Sequence, residues 1–165
     1  MTNQQNKRAL QQALLKENSN HLLLASKQLE ASFTRCNLIA LKPENLGFEE
    51  LERFEALTSR FARLADLILQ KAIRLIESLE LEGSGTILDR INKAEKRGII
   101  ANSEQFIEIR QLRNSIAHEY DADALIKIFE DCLGFTPVLL STVGNITEYI
   151  DNKALLSSCK TKLEP

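Results

Sequence analysis

Arg113 and His118 stand five residues apart, with Asn114 beside the arginine and Tyr120 two residues past the histidine. A guanidinium keeps its charge at any working pH, and an imidazole can give or take a proton near neutrality. Anion binding beside proton transfer is therefore the chemistry these residue types offer. At about 100° per residue on a helix, Arg113 projects between the directions of Phe106 and Ile109, on the apolar, partner-facing side. A guanidinium placed there needs either a ligand anion or a paired carboxylate from a neighbouring helix. His118 falls about 140° further round, at or just past the helix end. It either swings toward the same groove or decorates the helix C-terminus, where the dipole favours it.

Other charges bear on the choice. Arg53, Arg60, Arg63, Lys71 and Arg74 fall within about an 80° arc of one long helix, with Glu55, Asp66, Glu77 and Glu80 round the opposite side. Such a stripe is either an ordinary solvated flank or a track for phosphates. On the second reading Arg60, Arg63 and Arg74, together with Arg110 on the helix of the motif, are the candidate phosphate contacts. Arg90, Lys93 and Arg97 form a second basic line on the following helix. The net charge of −2 gives no global attraction to a polyanion, so any such site must be a local patch. His21 has no companion ligand pattern and reads as a surface or helix-start residue, so no metal site and no cofactor are expected.

The elements that must position these residues read as helices. The chain of 165 residues suits one domain with a real core, and 44% hydrophobic and 27% charged residues with only 6 Gly and 3 Pro suit an all-α fold. Residues 1–18 read either as a short helix or as a flexible arm, and a helix is expected over about Asn20 to Ala40. After the break at Lys42-Pro43 and Gly47, apolar residues from Phe54 to Leu79 recur three or four apart, which predicts one long helix over about Phe48 to Leu81. Thr86 with Asp89, and Asn102 with Gln105, are spaced as helix N-caps, and Gly98 can take a left-handed cap. Asp121 or Asp123 would cap a further helix to about Leu133. Thr136-Pro137 would open a last one reaching the region of Leu156. The core bundle is assigned to residues 48–156. Cys36, Cys132 and Cys159 lack metal-ligand spacing and suit reduced thiols in a cytoplasm. The polar N-terminal stretch lacks a signal-like apolar core, and no run of apolar residues is long enough to span a membrane.

The run Leu112-Arg113-Asn114-Ser115-Ile116-Ala117-His118-Glu119-Tyr120 resembles the R-x4-H-x-Y signature of HEPN proteins, specifically the HepT-like toxins. The resemblance implies an antiparallel four- to five-helix HEPN bundle, here with an additional N-terminal helix, that forms a homodimer with the two motifs facing across a cleft. It implies a toxin of a toxin-antitoxin system acting as a metal-independent endoribonuclease. Arg113 and His118 would be catalytic, Asn114 supporting, and the product a 2′,3′-cyclic phosphate. A cognate minimal nucleotidyltransferase antitoxin would silence it by attaching AMP to Tyr120, unless that aromatic simply staples the turn after the helix. A non-catalytic HEPN subunit that binds nucleotide or substrate for a nucleotidyltransferase is the alternative.

Overall fold

The computed structural model describes residues 2–42, 44, 46–83, 85–118 and 121–156; the side chains of residues 122 and 123 are not among those described. Within them the chain is helical, with no strand. Helix α1 spans Asn3–Cys36, α2 Phe48–Asp66, α3 Ile73–Leu79, α4 Ile87–Lys96, α5 Ser103–Ile116 and α6 Ala122–Asn152. Between α2 and α3 the chain does not leave the helix but widens into a π-turn over Leu67–Ala72.

The expected short arm at residues 1–18 and the separate helix after Asn20 are one helix of 34 residues. Thr2 starts it with a capping box closed by Gln5, which satisfies first-turn donors at a point where no apolar periodicity announces a helix. Leu15, Asn18, Leu22, Ala25, Leu29, Ser32 and Cys36 form its buried seam, alternating three and four apart. The N-terminal end of α1 lies beside α3, where Arg8 donates to the Leu79 carbonyl. Its C-terminal end lies beside the start of α2, where the Cys36 thiol meets the Arg53 carbonyl at 3.4 Å. Helix α1 therefore runs antiparallel to α2 and α3.

The last two helices expected after Asp121 are likewise one. Asp121 accepts from the Ala124 amide at 3.2 Å, and α6 continues through Pro137 to Asn152. Proline at this position leaves the Leu133 carbonyl without its usual donor. One turn back, the buried Thr136 hydroxyl donates to the Cys132 carbonyl at 2.6 Å. Helix α6 runs the length of the bundle: Phe129 stacks on Phe54 at 4.7 Å, and Tyr149 reaches Glu80 at the far end. A single apolar cluster, with Phe54, Phe61, Phe106 and Ile76 wholly buried, joins all six helices. Cys36 and Cys132 are buried free thiols, and Cys159 lies outside the described residues.

The expected caps on α4 and α5 are present. Asp89 and Thr86 close a capping box, and the Asn102 side chain accepts from the Gln105 amide at 2.9 Å. Gly98 takes a φ of 72°, and the Ile99 amide reaches back to the Ala94 carbonyl in a Schellman turn. Leu81 adopts the same left-handed geometry, with φ 59°, at the end of α3. No helix of the described residues is long and apolar enough to cross a membrane.

Candidate nucleic-acid interface

The π-turn decides where the basic stripe points. Its i→i+5 bonding inserts one extra residue per turn, so residues beyond it are rotated by roughly 100° from a regular helix. The core registers the slip: Ile76 is fully buried while Leu75, the position a regular helix would bury, is half-exposed. The same rotation turns Arg74 out of the stripe, whereas the roughly 60° between Arg60 and Arg63 on the regular part of α2 already sets those two apart. Arg53 and Arg60 face the C-terminal part of α1, Arg63 and Lys71 face α5, and Arg74 turns toward the N-terminal half of α1.

Arg60 is therefore not brought to a shared phosphate track. It is half-buried and ties α2 to α1, donating to the Gln28 carbonyl at 3.1 Å and the Ser32 hydroxyl at 2.6 Å. The second basic line on α4 is also consumed within the fold. Arg90 pairs with buried Glu77 at 3.1 Å, Arg97 bonds Glu82 and lies 3.3 Å from Glu80, and Lys93 lies 3.6 Å from Glu82. These cations fasten α4 to the end of α3, and their charge is matched there by Glu77, Glu80 and Glu82.

Arg113, by contrast, opens onto a groove of about 640 Å³ between the π-turn and α5. Arg63, Lys71, Arg110, Arg113 and Asn114 line it together with Asp66 and Gln70. Four cations thus face one carboxylate, in a chain whose net charge is negative. Of the two arrangements left open by the spacing, Arg113 adopts the paired one. Its Nε lies 2.9 and 3.1 Å from the two Asp66 oxygens, and its second terminal nitrogen is 2.8 Å from Oδ2. These hydrogen bonds, and then the carboxylate charge, hold the guanidinium above its ordinary range. Both side chains remain more than a third exposed, so the pair sits on the groove wall rather than in the core. Asp66 is the residue the sequence placed on the wrong side: it lies at the junction of α2 and the π-turn, facing α5.

Arg63, Arg110, Arg113 and Asn114 are thus assembled in one place. Arg60 is not, and Arg74 lies in an adjoining groove with His21, Lys71 and Gln70. His118 is exposed on the turn after α5, its amide bonded to the Ser115 carbonyl at 3.1 Å, and it does not line the Arg113 groove. Tyr120 lies outside the described residues. Among the described residues no group of three or more His, Cys, Asp or Glu side chains is arranged to hold a metal ion. The sequence matches no protein-family profile and no curated protein.

The arrangement favours a multiply charged, extended anion. Arg113 and Asp66 form a bidentate fork, which fixes the guanidinium plane in the groove wall. Arg63, Lys71 and Arg110 have no hydrogen-bond or ion-pair partner among the described side chains, so their charge faces the solvent unneutralised. Several such cations spaced along a groove match phosphates repeated along a strand.

Proposed function

We propose that this chain is a HEPN-type ribonuclease of the HepT-like toxin class, a cytoplasmic homodimer that binds RNA in the Arg113 groove. The observation that carries the reading is the gathering of Arg63, Lys71, Arg110, Arg113 and Asn114 around one groove, next to the helix end that bears His118. Cutting RNA by its own 2′-hydroxyl needs a base for that hydroxyl, an acid for the leaving 5′-oxygen, and cations for the charge on the phosphorane. The 2′-oxygen bonds phosphorus, the bond to the 5′-oxygen breaks, and a 2′,3′-cyclic phosphate is left. The nucleophile belongs to the substrate, so the scheme calls for no metal and no cofactor.

Within one chain His118 stands outside the groove that holds Arg113, and one imidazole cannot act as base and acid in the same step. A two-fold pairing of the α5 ends supplies two His118 and two Arg113 side chains to a common cleft. A minimal nucleotidyltransferase antitoxin that adds AMP to Tyr120 would place bulk and negative charge beside the motif and keep RNA out.

The test is incubation of purified protein with RNA in EDTA, reading scission and the chemistry of the new ends. Wild type should cut and leave cyclic phosphate, and Arg113→Ala and His118→Ala should each abolish cutting while the protein stays folded. Scission by His118→Ala at the wild-type rate overturns the assignment. The Asp66 clamp on Arg113 and the exposed setting of His118 favour one second reading, a non-catalytic HEPN subunit that binds nucleotide or RNA for a nucleotidyltransferase. RNA binding without any scission by the wild-type dimer would support that reading.

A further inference from the structure

The Arg113 groove does not end at the π-turn. A second groove, of about 490 Å³, begins where it stops and shares Leu67, Gln70 and Lys71 with it. Its walls are α1 and α3, which contribute His21, Arg74, Glu17 and Asn18. The two are joined because the wide turn presents Gln70 and Lys71 at the crest between them, both exposed. Arg74 and Lys71 have no hydrogen-bond or ion-pair partner among the described side chains.

One further feature marks this groove as a site rather than a gap. Asn18 is buried, and its Oδ1 has no hydrogen-bond partner among the described residues. An apolar residue at this point of the α1 seam would pack without that cost, since a buried acceptor left unpaired is unfavourable. Asn18 lines the groove, so a rotation of its amide would bring Oδ1 within reach of a hydroxyl or amino group of a ligand lying there. The ligand then combines phosphate charge with hydrogen-bond donors, which is the chemistry of a ribonucleotide.

We infer that the groove of Asn18, His21, Lys71 and Arg74 is a second RNA subsite, through which a single strand held at Arg113 passes over Lys71 onto helix α1. The inference rests on the RNA reading above and extends it from one contact to a path. Along the helix axis Arg63 and Arg74 are about 16 Å apart at 1.5 Å per residue. That length suits roughly four nucleotides, the lower end of single-strand site sizes. A duplex is too broad and stiff to follow the bend from α5 to α1, so the path selects unpaired RNA.

The test uses the full chain and an uncleavable 2′-O-methyl oligoribonucleotide of roughly twelve nucleotides, with binding followed by fluorescence anisotropy in EDTA over a range of salt. Each lost phosphate contact on a single strand lowers the salt slope by about 0.7, which is about a fivefold loss of affinity near 0.1 M salt. Arg74→Gln should show that loss, as should Arg110→Gln in the first groove. Lys96→Gln, which removes an equal charge from a distant part of α4, should leave the slope unchanged. If Arg110→Gln weakens binding and Arg74→Gln does not, the second subsite is refuted while RNA binding at Arg113 stands. If both weaken binding but nothing is cut, the subsite stands and the ribonuclease assignment fails. Equal losses from Arg74→Gln and Lys96→Gln also overturn the subsite, because only overall charge would then matter. Melting temperatures of the three variants should match wild type.

Discussion

Replacing Asp66 with asparagine removes one negative charge from a groove that otherwise holds four cations, and changes little else. Asparagine retains an oxygen that can accept from the Arg113 guanidinium, so the side chain keeps one hydrogen bond and its direction. The stability cost should be small. Both partners are more than a third exposed, which places the pair nearer to surface ion pairs, at about 0.5–1 kcal/mol, than to buried pairs, whose rupture costs about 3–5 kcal/mol. For a chain of this size the melting temperature should fall by about 2–3 °C. RNA affinity should move the other way. Freed from its carboxylate, Arg113 can take one more phosphate, raising the salt slope by about 0.7 and the affinity by about fivefold near 0.1 M salt. Anisotropy with uncleavable RNA measures both quantities. The gain should vanish in the double variant Asp66→Asn with Arg113→Gln, because the phosphate contact then has no donor. Unchanged or weaker binding by Asp66→Asn refutes the idea that Asp66 competes with phosphate for Arg113.

Three further outcomes follow from the packing. The Glu77 and Arg90 pair is about nine-tenths buried on both sides, so Glu77→Gln or Arg90→Met alone should destabilise by about 3–5 kcal/mol, while Glu77→Leu with Arg90→Met together should cost much less; a full double-mutant cycle by urea unfolding checks the non-additivity. Leu81 is exposed and holds a left-handed φ of 59°, so Leu81→Gly should raise stability by about 1 kcal/mol, and a melting temperature at or below wild type would show that no backbone strain resides there. Burial, then the bond to Glu80 and its charge, push the Tyr149 phenol up to about 12. A group that holds its proton more tightly when folded lends stability below its ordinary value near 10 and loses it as pH climbs toward 12. Wild type should therefore lose stability over that window more steeply than Tyr149→Phe, with equal slopes refuting the link.

The parts of the molecule legible in the sequence are those where a local signal has a local cause. Thr86 with Asp89, Asn102 with Gln105, and Gly98 each set a helix end through neighbours within a few residues, and each end lies where those residues place it. Helix α1 was blurred because Leu10, Leu14, Leu23 and Leu24 are exposed among its buried seam, which spreads apolar residues round the whole cylinder. Pro137 reads as a helix start because proline is at home there, yet tertiary packing carries α6 straight through it. The cationic groove was half legible: the periodicity placed Arg113 on the packed side of α5, but its carboxylate partner comes from 47 residues earlier. Asp66 shares that face with Arg63, three residues away on the same helix, while the widening that follows turns Arg74 aside, and nothing in Leu67-Ile68-Leu69-Gln70-Lys71-Ala72 signals a π-turn. His21 has no companion ligands in its own stretch of sequence, and it lines one groove with Lys71 and Arg74 from about fifty residues further on.

The widened turn amounts to a one-residue insertion, the kind of change a single added codon makes. Removing a residue between Leu67 and Ala72 would restore a regular helix and leave Arg74 facing as it does now, because the wide turn already absorbs the extra residue. Closing the turn into a regular helix without that deletion would instead swing Ile73 and Ile76, both fully buried, by roughly 100° out of the core. Surface shape and interior packing are thus inherited as one character at this point. Point substitutions can add or remove charge along the bend, but the direction of Arg74 is set by the same rotation that buries Ile73 and Ile76.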